Sequence, residues 1–423
     1  MNISELLSGL DCQCGRRHDC AIKYIYIEKG ATARLPEVLI DFSRVLIVAD
    51  ENTFGSAGDR TASALGERLY RTVVFPGNEV LIPDERAIER VEQEIGESDF
   101  ILAVGSGVLQ DLCKYVSKKS GIPYGVVATA PSMDGYASNG AAMILGGMKV
   151  TVSAGIPYAF LADTDVLKDA PLEMIKAGYG DIIGKYSALN DWRLSALVNG
   201  EYFCPYVYKL TEDMIGATLP LADKLLSRDG ESVRVLMEAL MVVGIAMSYV
   251  GNSRPASGSE HHLSHYFEIT GIVKGREYFA HGIDVLYSTY VTSLVRQKLI
   301  DTPFVSEKLA QTVSEREEEL KRVYGPVADG CIALQDKLGT YSRDLVPTYL
   351  VNESEIKAIL AECPTPEVIA EIIKGIGLDL DEFYRFYGES HVADAIRYAK
   401  DLKDRYTVLW LYYDLFGTAK ILK

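Results

Sequence analysis

The sequence predicts an α/β N-terminal domain on a mostly parallel sheet, over residues 1–163, and an all-α C-terminal domain over residues 164–423. Three observations carry this reading. Short β-rich runs alternate with helical segments as far as about Asp163, and from there on runs at helical spacing dominate with few β-branched stretches. The third is length: 423 residues exceed the roughly 100–200 that one ordinary core holds.

Arg44–Asp50 reads as a buried strand ending in an acid, and Arg71–Phe75 as a second strand closed by Pro76-Gly77. Asp84 caps a helix of alternating charge that runs to about Ile95. Phe100–Val104 is a third strand, broken by Gly105-Ser106-Gly107 and followed by a helix to about Lys119; Tyr124–Ala128 is a fourth strand. Strand, helix and strand in this order imply parallel pairing through crossover helices. Ala142–Ser153, with Gly146-Gly147 between apolar runs, predicts a hairpin, and Pro157–Leu161 closes the sheet. Pro171 then opens a helical region. The expected helices are Asp181–Leu197, Leu221–Leu226, Val233–Val250, Ile283–Lys298, Ser306–Val323, Glu353–Leu360 and Pro366–Ile376.

The formal net charge of −16 argues against a nucleic-acid binder, which needs a basic surface to displace counterions from phosphate. The longest apolar stretch, Ala239–Gly251, is too short for a bilayer span of about 20 residues, so no membrane insertion is expected. No basic, apolar leader is visible, and seven scattered cysteines suit reduced thiols; a cytoplasmic location is expected.

Gly105-Ser106-Gly107 lies between a strand and a helix, where glycines admit close backbone approach and the helix N-terminus offers N–H donors to a pyrophosphate. Such glycines also serve turn geometry alone. Asp50, at a strand end, suits an adenosine ribose diol or equally a helix cap. Thr129 to Gly140 has the small, hydroxyl-rich composition of a loop that wraps a dinucleotide, or of ordinary turns.

Of six histidines, His261, His262 and His265 fall within five residues. On a helix His261 and His265 share a face, and His262 points about 100° away. With His281 and the carboxylate of Asp181 they suit a borderline ion such as Zn²⁺ or Ni²⁺ with an open position for a substrate oxygen. A histidine pair at this spacing also occurs as a plain hydrogen-bonding feature. Cys12, Cys14, His18 and Cys20 cluster near the N-terminus, but Cys-x-Cys-Gly departs from the usual structural-zinc spacing. A tight, thiol-containing hairpin without metal is the expectation there. His18 and His391 are taken as structural.

Three stretches, Ala130-Pro131-Ser132-Met133-Asp134-Gly135-Tyr136-Ala137-Ser138, Gly180 to Ala188 and Ser253 to His261, resemble sn-glycerol-1-phosphate dehydrogenases, of the iron-containing alcohol dehydrogenase superfamily. The likeness runs from about Ile22 to His281, more loosely beyond, and is closer to the bacterial branch. It implies a Rossmann-like first domain in a dehydroquinate synthase-like architecture. It implies Asp181, His261 and His281 as metal ligands. Asp134 and His265 match catalytic and substrate-contacting positions, with Asp181 beside them. Asp50, the turn of Gly105, Ser106, Gly107, Val108 and Leu109, then Thr129, Ala130, Pro131, Ser132 and Ser138 match coenzyme positions. The implied reaction is NAD(P)H-dependent, metal-assisted reduction of dihydroxyacetone phosphate to sn-glycerol 1-phosphate, a step of phospholipid metabolism, by a homo-oligomer. Arg254 is the candidate phosphate anchor, with Lys185 as the alternative; the other role open to Arg254 is an interdomain salt bridge. The rival expectations are a glycerol dehydrogenase acting on unphosphorylated polyol and a 3-dehydroquinate synthase-like cyclase. The departure from the pattern is Ser106, where many superfamily members carry a third glycine.

Overall fold

In the computed structural model, which describes residues 3–146, 148–307 and 311–417, the chain divides into two compact units. Unit 1 comprises Met1–Ile182 and Gly216–Ser253, and unit 2 comprises Ile183–Ile215 and Arg254–Lys423. The expected single cut after Asp163 is therefore corrected. The chain passes to unit 2 inside the long helix Leu172–Asn199, returns to unit 1 at Gly216 inside the helix Pro205–Thr218, and leaves it again after Ser253.

Ten strands occur among the described residues: β1 (Leu10–Asp11), β2 (Arg17–His18), β3 (Tyr24–Glu28), β4 (Val45–Asp50), β5 (Leu69–Phe75), β6 (Phe100–Gly105), β7 (Tyr124–Ala128), β8 (Gly140–Leu145), β9 (Met148–Ser153) and β10 (Ala159–Asp163). Six form one all-parallel sheet in the order β3-β10-β7-β6-β4-β5. Its central strands are continuous apolar runs, VLIVA in β4 and FILAVG in β6, because helices cover both faces of a parallel sheet. Edge strand β3, YIYIE, has no counterpart among the sequence expectations, since a half-buried edge gives a weaker apolar signal. From β4 the chain adds β5 on one side and then crosses to place β6 on the other, which makes the β4/β6 pair a topological switch point.

β8 and β9 form the expected antiparallel hairpin, with Gly147 outside the described residues. β1 and β2 form a second small hairpin at the N-terminus. The helix Gly230–Val250 is long and apolar enough to cross a membrane by length and composition, yet 78% of its apolar window is buried inside the fold, as suits a core helix.

Unit 2 is helical among its described residues. Glu353–Leu360 has the expected bounds, and Pro366–Gly375 ends one residue early. The helix expected over Ser306–Val323 instead spans Val313–Tyr324, because Thr312 and Glu315 form a capping box that sets its start; residues 308–310 lie outside the described set. Helices Pro205–Thr218, Ala328–Leu338, Leu380–Tyr387, Glu389–Tyr398 and Val408–Phe416 were not foreseen. Several are short, and short apolar runs do not reveal a period.

Candidate coenzyme and metal sites

In unit 1, parallel pairing of β4, β6 and β7 brings their C-terminal ends to one edge of the sheet. Val48 pairs with Ala103, and Gly105 with Ala128, so Asp50, Gly105 and Thr129 emerge side by side at the switch point. The helix Gly107–Ser120 starts there. Its N-cap, Ser106, makes no side-chain cap hydrogen bond, which leaves the cap position to an external acceptor. Glycine at 105 is a matter of space: a Cβ there would sit 2.3 Å from Leu109 Cδ1. A Cβ at Gly107 would meet Met133 Cε at 3.3 Å. Val108 is exposed, whereas Leu109 packs inward, so only its backbone N–H is available to a ligand.

Asp50 takes up the cap role weighed for it. Its Oδ1 accepts from Thr53 N at 2.8 Å, and Thr53 Oγ1 accepts in return from Asp50 N at 3.0 Å. The loop after β7 is held by a chain of bonds. Thr129 N donates to Gly105 O (3.2 Å), the Tyr136 hydroxyl to Ala130 O (2.7 Å), and Gln110 Nε2 to Tyr136 O (2.8 Å). Ser138 Oγ donates to Gly135 O at 2.9 Å, a local turn bond.

Lys114, fully buried, donates to Gly140 O at 2.7 Å and lies 3.4 Å from Asp111. Burial pushes its ammonium below the ordinary lysine range. It ties the helix Gly107–Ser120 to the Gly135–Gly140 turn, and sequence reasoning missed it. The available signal was a lysine at an otherwise buried position of Gly107–Ser120.

Asp134 is 8% exposed, and its N–H donates to Asp181 Oδ2 at 2.9 Å. This close approach depends on a neighbouring glycine: a Cβ on Gly178 would lie 1.8 Å from Pro131 O. Gly244 acts likewise from the core helix, where a Cβ would sit 2.8 Å from Asp134 O. The run Gly178-Tyr179-Gly180-Asp181 thus lets one helix press its backbone against the loop that carries Pro131 and Asp134. Pro131 is buried, while Ser132 stands half-buried on the same loop.

In unit 2, His261 and His265 share one face of helix Ser259–Lys274, with ring centroids 6.2 Å apart. His281 opens helix His281–Asp301, and its ring lies 5.1 Å from His261 and 5.5 Å from His265. The Nδ1 of His261 pairs with Glu260 Oε1 at 2.7 Å, and Nδ1 of His281 with Ser264 Oγ at 3.3 Å. A partner at Nδ1 sets the tautomer and makes Nε2 the ligating nitrogen. Glu260 is fully buried, and burial pushes its carboxyl upward. Sequence reasoning passed over Glu260 and Ser264, although both lie within the histidine motif. His265 is 20% exposed at its side chain, with Glu268 Oε2 3.8 Å from its Nδ1.

His262 turns away from that face, as expected. It is fully buried, and neither ring nitrogen has a partner among the described residues; burial holds its imidazole well below the ordinary histidine range. Lys185 is fully buried and donates to Ala256 O at 3.0 Å.

The expectation for Arg254 is corrected. Its side chain is 4% exposed and bonds Glu201 through Nε (2.7 Å) and Nη2 (2.5 Å), with further bonds to Ser195 Oγ and Tyr406 O. A guanidinium already paired bidentately with a carboxylate joins segments of its own unit, and is poorly placed to hold a phosphate.

Residues 26–171 match the family model described as iron-containing alcohol dehydrogenase. The chain is 35% identical over 358 residues to the glycerol-1-phosphate dehydrogenase, NAD(P)+-linked, of Halalkalibacterium halodurans, covering 78% of this chain and 90% of that one. It is 32% identical over 413 residues to the protein of the same name from Geobacillus stearothermophilus, covering 96% of each. Among solved structures, a probable glycerol dehydrogenase from Sinorhizobium meliloti aligns with TM-score 0.62 at 15% identity, covering 94% of this chain and 96% of that one. A 1,3-propanediol oxidoreductase aligns with TM-score 0.62 at 14% identity, covering 93% and 96%.

Proposed function

The chain belongs to the NAD(P)+-linked glycerol-1-phosphate dehydrogenases, within the iron-containing alcohol dehydrogenase family, and from that premise we propose that it reduces dihydroxyacetone phosphate reversibly to sn-glycerol 1-phosphate with NADH or NADPH. The observation that carries the chemistry is the imidazole pair His261 and His281, each with its Nδ1 engaged by a neighbouring oxygen. The third ligand in this reading is Asp181, at the position the resemblance gives it, its carboxylate accepting from Asp134 N; two imidazoles and a carboxylate are donor types that suit one divalent ion, Zn²⁺ or Ni²⁺. Such an ion, when bound, supplies Lewis-acid polarisation of a ketone oxygen, and the nicotinamide supplies the hydride.

The chain's own residues do the rest. The first-turn N–H groups after Ser106 bind the pyrophosphate, and the loop from Thr129 to Ser132, with Ser138, lines the coenzyme. Asp50 Oδ1 caps its helix, and Asp50 stands at the switch point where a ribose diol is bound. Asp134 and His265 contact the substrate, and His265, one helical turn from His261, holds the proton that the product alkoxide takes up.

The test is oxidation of NADH and NADPH by dihydroxyacetone phosphate and by dihydroxyacetone, after apo-protein is reloaded with single metals. A phosphate held by two or three charge-assisted hydrogen bonds gives the phosphorylated ketone an advantage of about a thousandfold in kcat/KM. Equal turnover of the two ketones identifies a glycerol dehydrogenase instead. Coenzyme reduced and reoxidised within one cycle, with no net redox, identifies a cyclase.

A further inference from the structure

We propose that Cys12, Cys14 and His18 bind a second, structural metal ion, of the thiophilic class to which Zn²⁺ belongs, independent of the site at Asp181, His261 and His281. The three residues sit on the small N-terminal hairpin, where Leu10 pairs with His18 and Asp11 with Arg17. The turn between them is tight: Gly15 N donates to Cys12 O at 3.0 Å, and Cys12 N to Arg16 O at 3.1 Å. Gly15 sits at φ +84°, a left-handed conformation that lets the chain reverse within this short distance. The reversal gathers the two sulfurs and one imidazole nitrogen so that all lie within 4.8 Å of one another. Cys14 Sγ is 3.5 Å from His18 Nε2. Ligand atoms around a tetrahedral zinc, with bonds of about 2.0–2.3 Å, stand about 3.3–3.8 Å apart, so small side-chain shifts close the set.

His18 is the strongest part of the case. It is fully buried, its Nδ1 is 3.0 Å from Tyr249 O, and its ring stacks on Tyr249 at 5.2 Å and 14°. A carbonyl at Nδ1 requires the proton there, which puts the lone pair on Nε2, the nitrogen facing Cys14. Tyr249 is itself anchored, its hydroxyl donating to Leu6 O. This is the arrangement of a ligating histidine with its outer partner. Neither cysteine is in a disulfide, and both are only partly buried, so deprotonation and metal entry are open to them. The departure of Cys-x-Cys-Gly from the usual zinc spacing argued against a metal when only the sequence was considered. The fold supplies what the spacing lacked, an oriented imidazole from the second strand of the hairpin. The ion would clamp the N-terminal segment to the helix Gly230–Val250 and leave the reaction itself unchanged.

The experiment is metal analysis of protein purified without chelator, together with the optical spectrum after replacement of the bound metal by Co²⁺. Two metal equivalents per chain are expected. Asp181→Ala loses one, and Cys12→Ser/Cys14→Ser or His18→Gln loses the other. The cobalt form of the unaltered protein should show thiolate-to-cobalt charge transfer in the near ultraviolet, which a carboxylate and two imidazoles cannot produce. That spectrum keeps the question decidable if the cysteine variants fail to fold. Band intensity for two sulfurs, or for three if another cysteine completes the tetrahedron, supports the site. No charge-transfer band, or a metal content unaltered in the Cys12→Ser/Cys14→Ser protein, overturns it and leaves a thiol–imidazole hydrogen bond. Failure of the dehydrogenase reading would leave this result untouched, because no substrate or coenzyme enters the measurement.

Discussion

Arg254 shows at the scale of one residue how the partner a side chain finds decides between two roles that its place in the sequence leaves open. An arginine just before a ligand helix suits phosphate, but its guanidinium is committed to Glu201, which is 29% exposed at its side chain. Arg254→Ala is expected to lower stability by about 3 kcal/mol by leaving that carboxylate unpaired, to be partly rescued by Glu201→Gln, and to leave the preference for dihydroxyacetone phosphate over dihydroxyacetone unchanged. Denaturant unfolding and kcat/KM for both ketones check this; a collapse of the preference in a stably folded variant would restore the anchor role. At the metal, Ala at Asp181, His261 or His281 should give folded protein that loses the catalytic equivalent, read by metal analysis. His262→Ala should keep it, although loss of a fully buried ring costs about 2 kcal/mol in stability. The pairing of His261 with His265 was legible in the sequence because their spacing puts both on one helical face, whereas His281 was named a ligand only through the family resemblance and its position in the fold. Glu260 and Ser264 became visible only when the rings had positions.

At the scale of elements, glycines decide how closely a helix and a loop approach. Gly178→Ala would place a methyl 1.8 Å from Pro131 O, so helix Leu172–Asn199 must withdraw from the loop proposed to line the coenzyme. A loss of tenfold or more in coenzyme affinity is expected, measured by fluorescence titration with NADH. Gly107→Val should weaken the coenzyme similarly, because its methyls crowd Met133 and the helix N-terminus together.

The helix that carries His261 and His265 has a second face with its own titration. His391 packs between Tyr266 and Thr270, its Nδ1 3.3 Å from one hydroxyl and its Nε2 3.1 Å from the other. Burial pushes His391 down to about 4. Its folded value lies below the unfolded value of about 6.5, so the unfolded chain takes up the proton first. The stability contributed by neutral His391 is present above about pH 6.5 and is lost as pH falls toward 4. His391→Phe should flatten that part of the curve of melting temperature against pH, and an unchanged slope would place the titration elsewhere. His262, held neutral by burial, adds loss of the same sign over the same descent.

For the whole molecule, removal of metal should abolish ketone reduction, and readdition of Zn²⁺, Ni²⁺ or a similar ion should restore it. Activity that survives complete chelation, verified by metal analysis, would exclude a metal-assisted step. The parallel character of the sheet, the switch from β-rich to helical character and the existence of strands β4, β5, β6 and β7 were determined by the sequence alone. Buried parallel strands are continuous apolar runs, and strand–helix–strand connections have one permitted hand. The three motifs likewise identified the family. The tertiary structure decided what depends on residues far apart in the chain. The unit boundary falls inside a helix, and residues 216–253 return to the first unit, because core membership is set by packing and no composition change marks it. Edge strand β3 and several short helices needed neighbours to declare them. Arg254 was assigned to Glu201, and Lys114 to the Gly135–Gly140 turn, because burial forces each charge to find a nearby partner. Cys12, Cys14 and His18 gathered for a related reason: a left-handed glycine reverses the chain, and a carbonyl 231 residues away, on Tyr249, orients the imidazole.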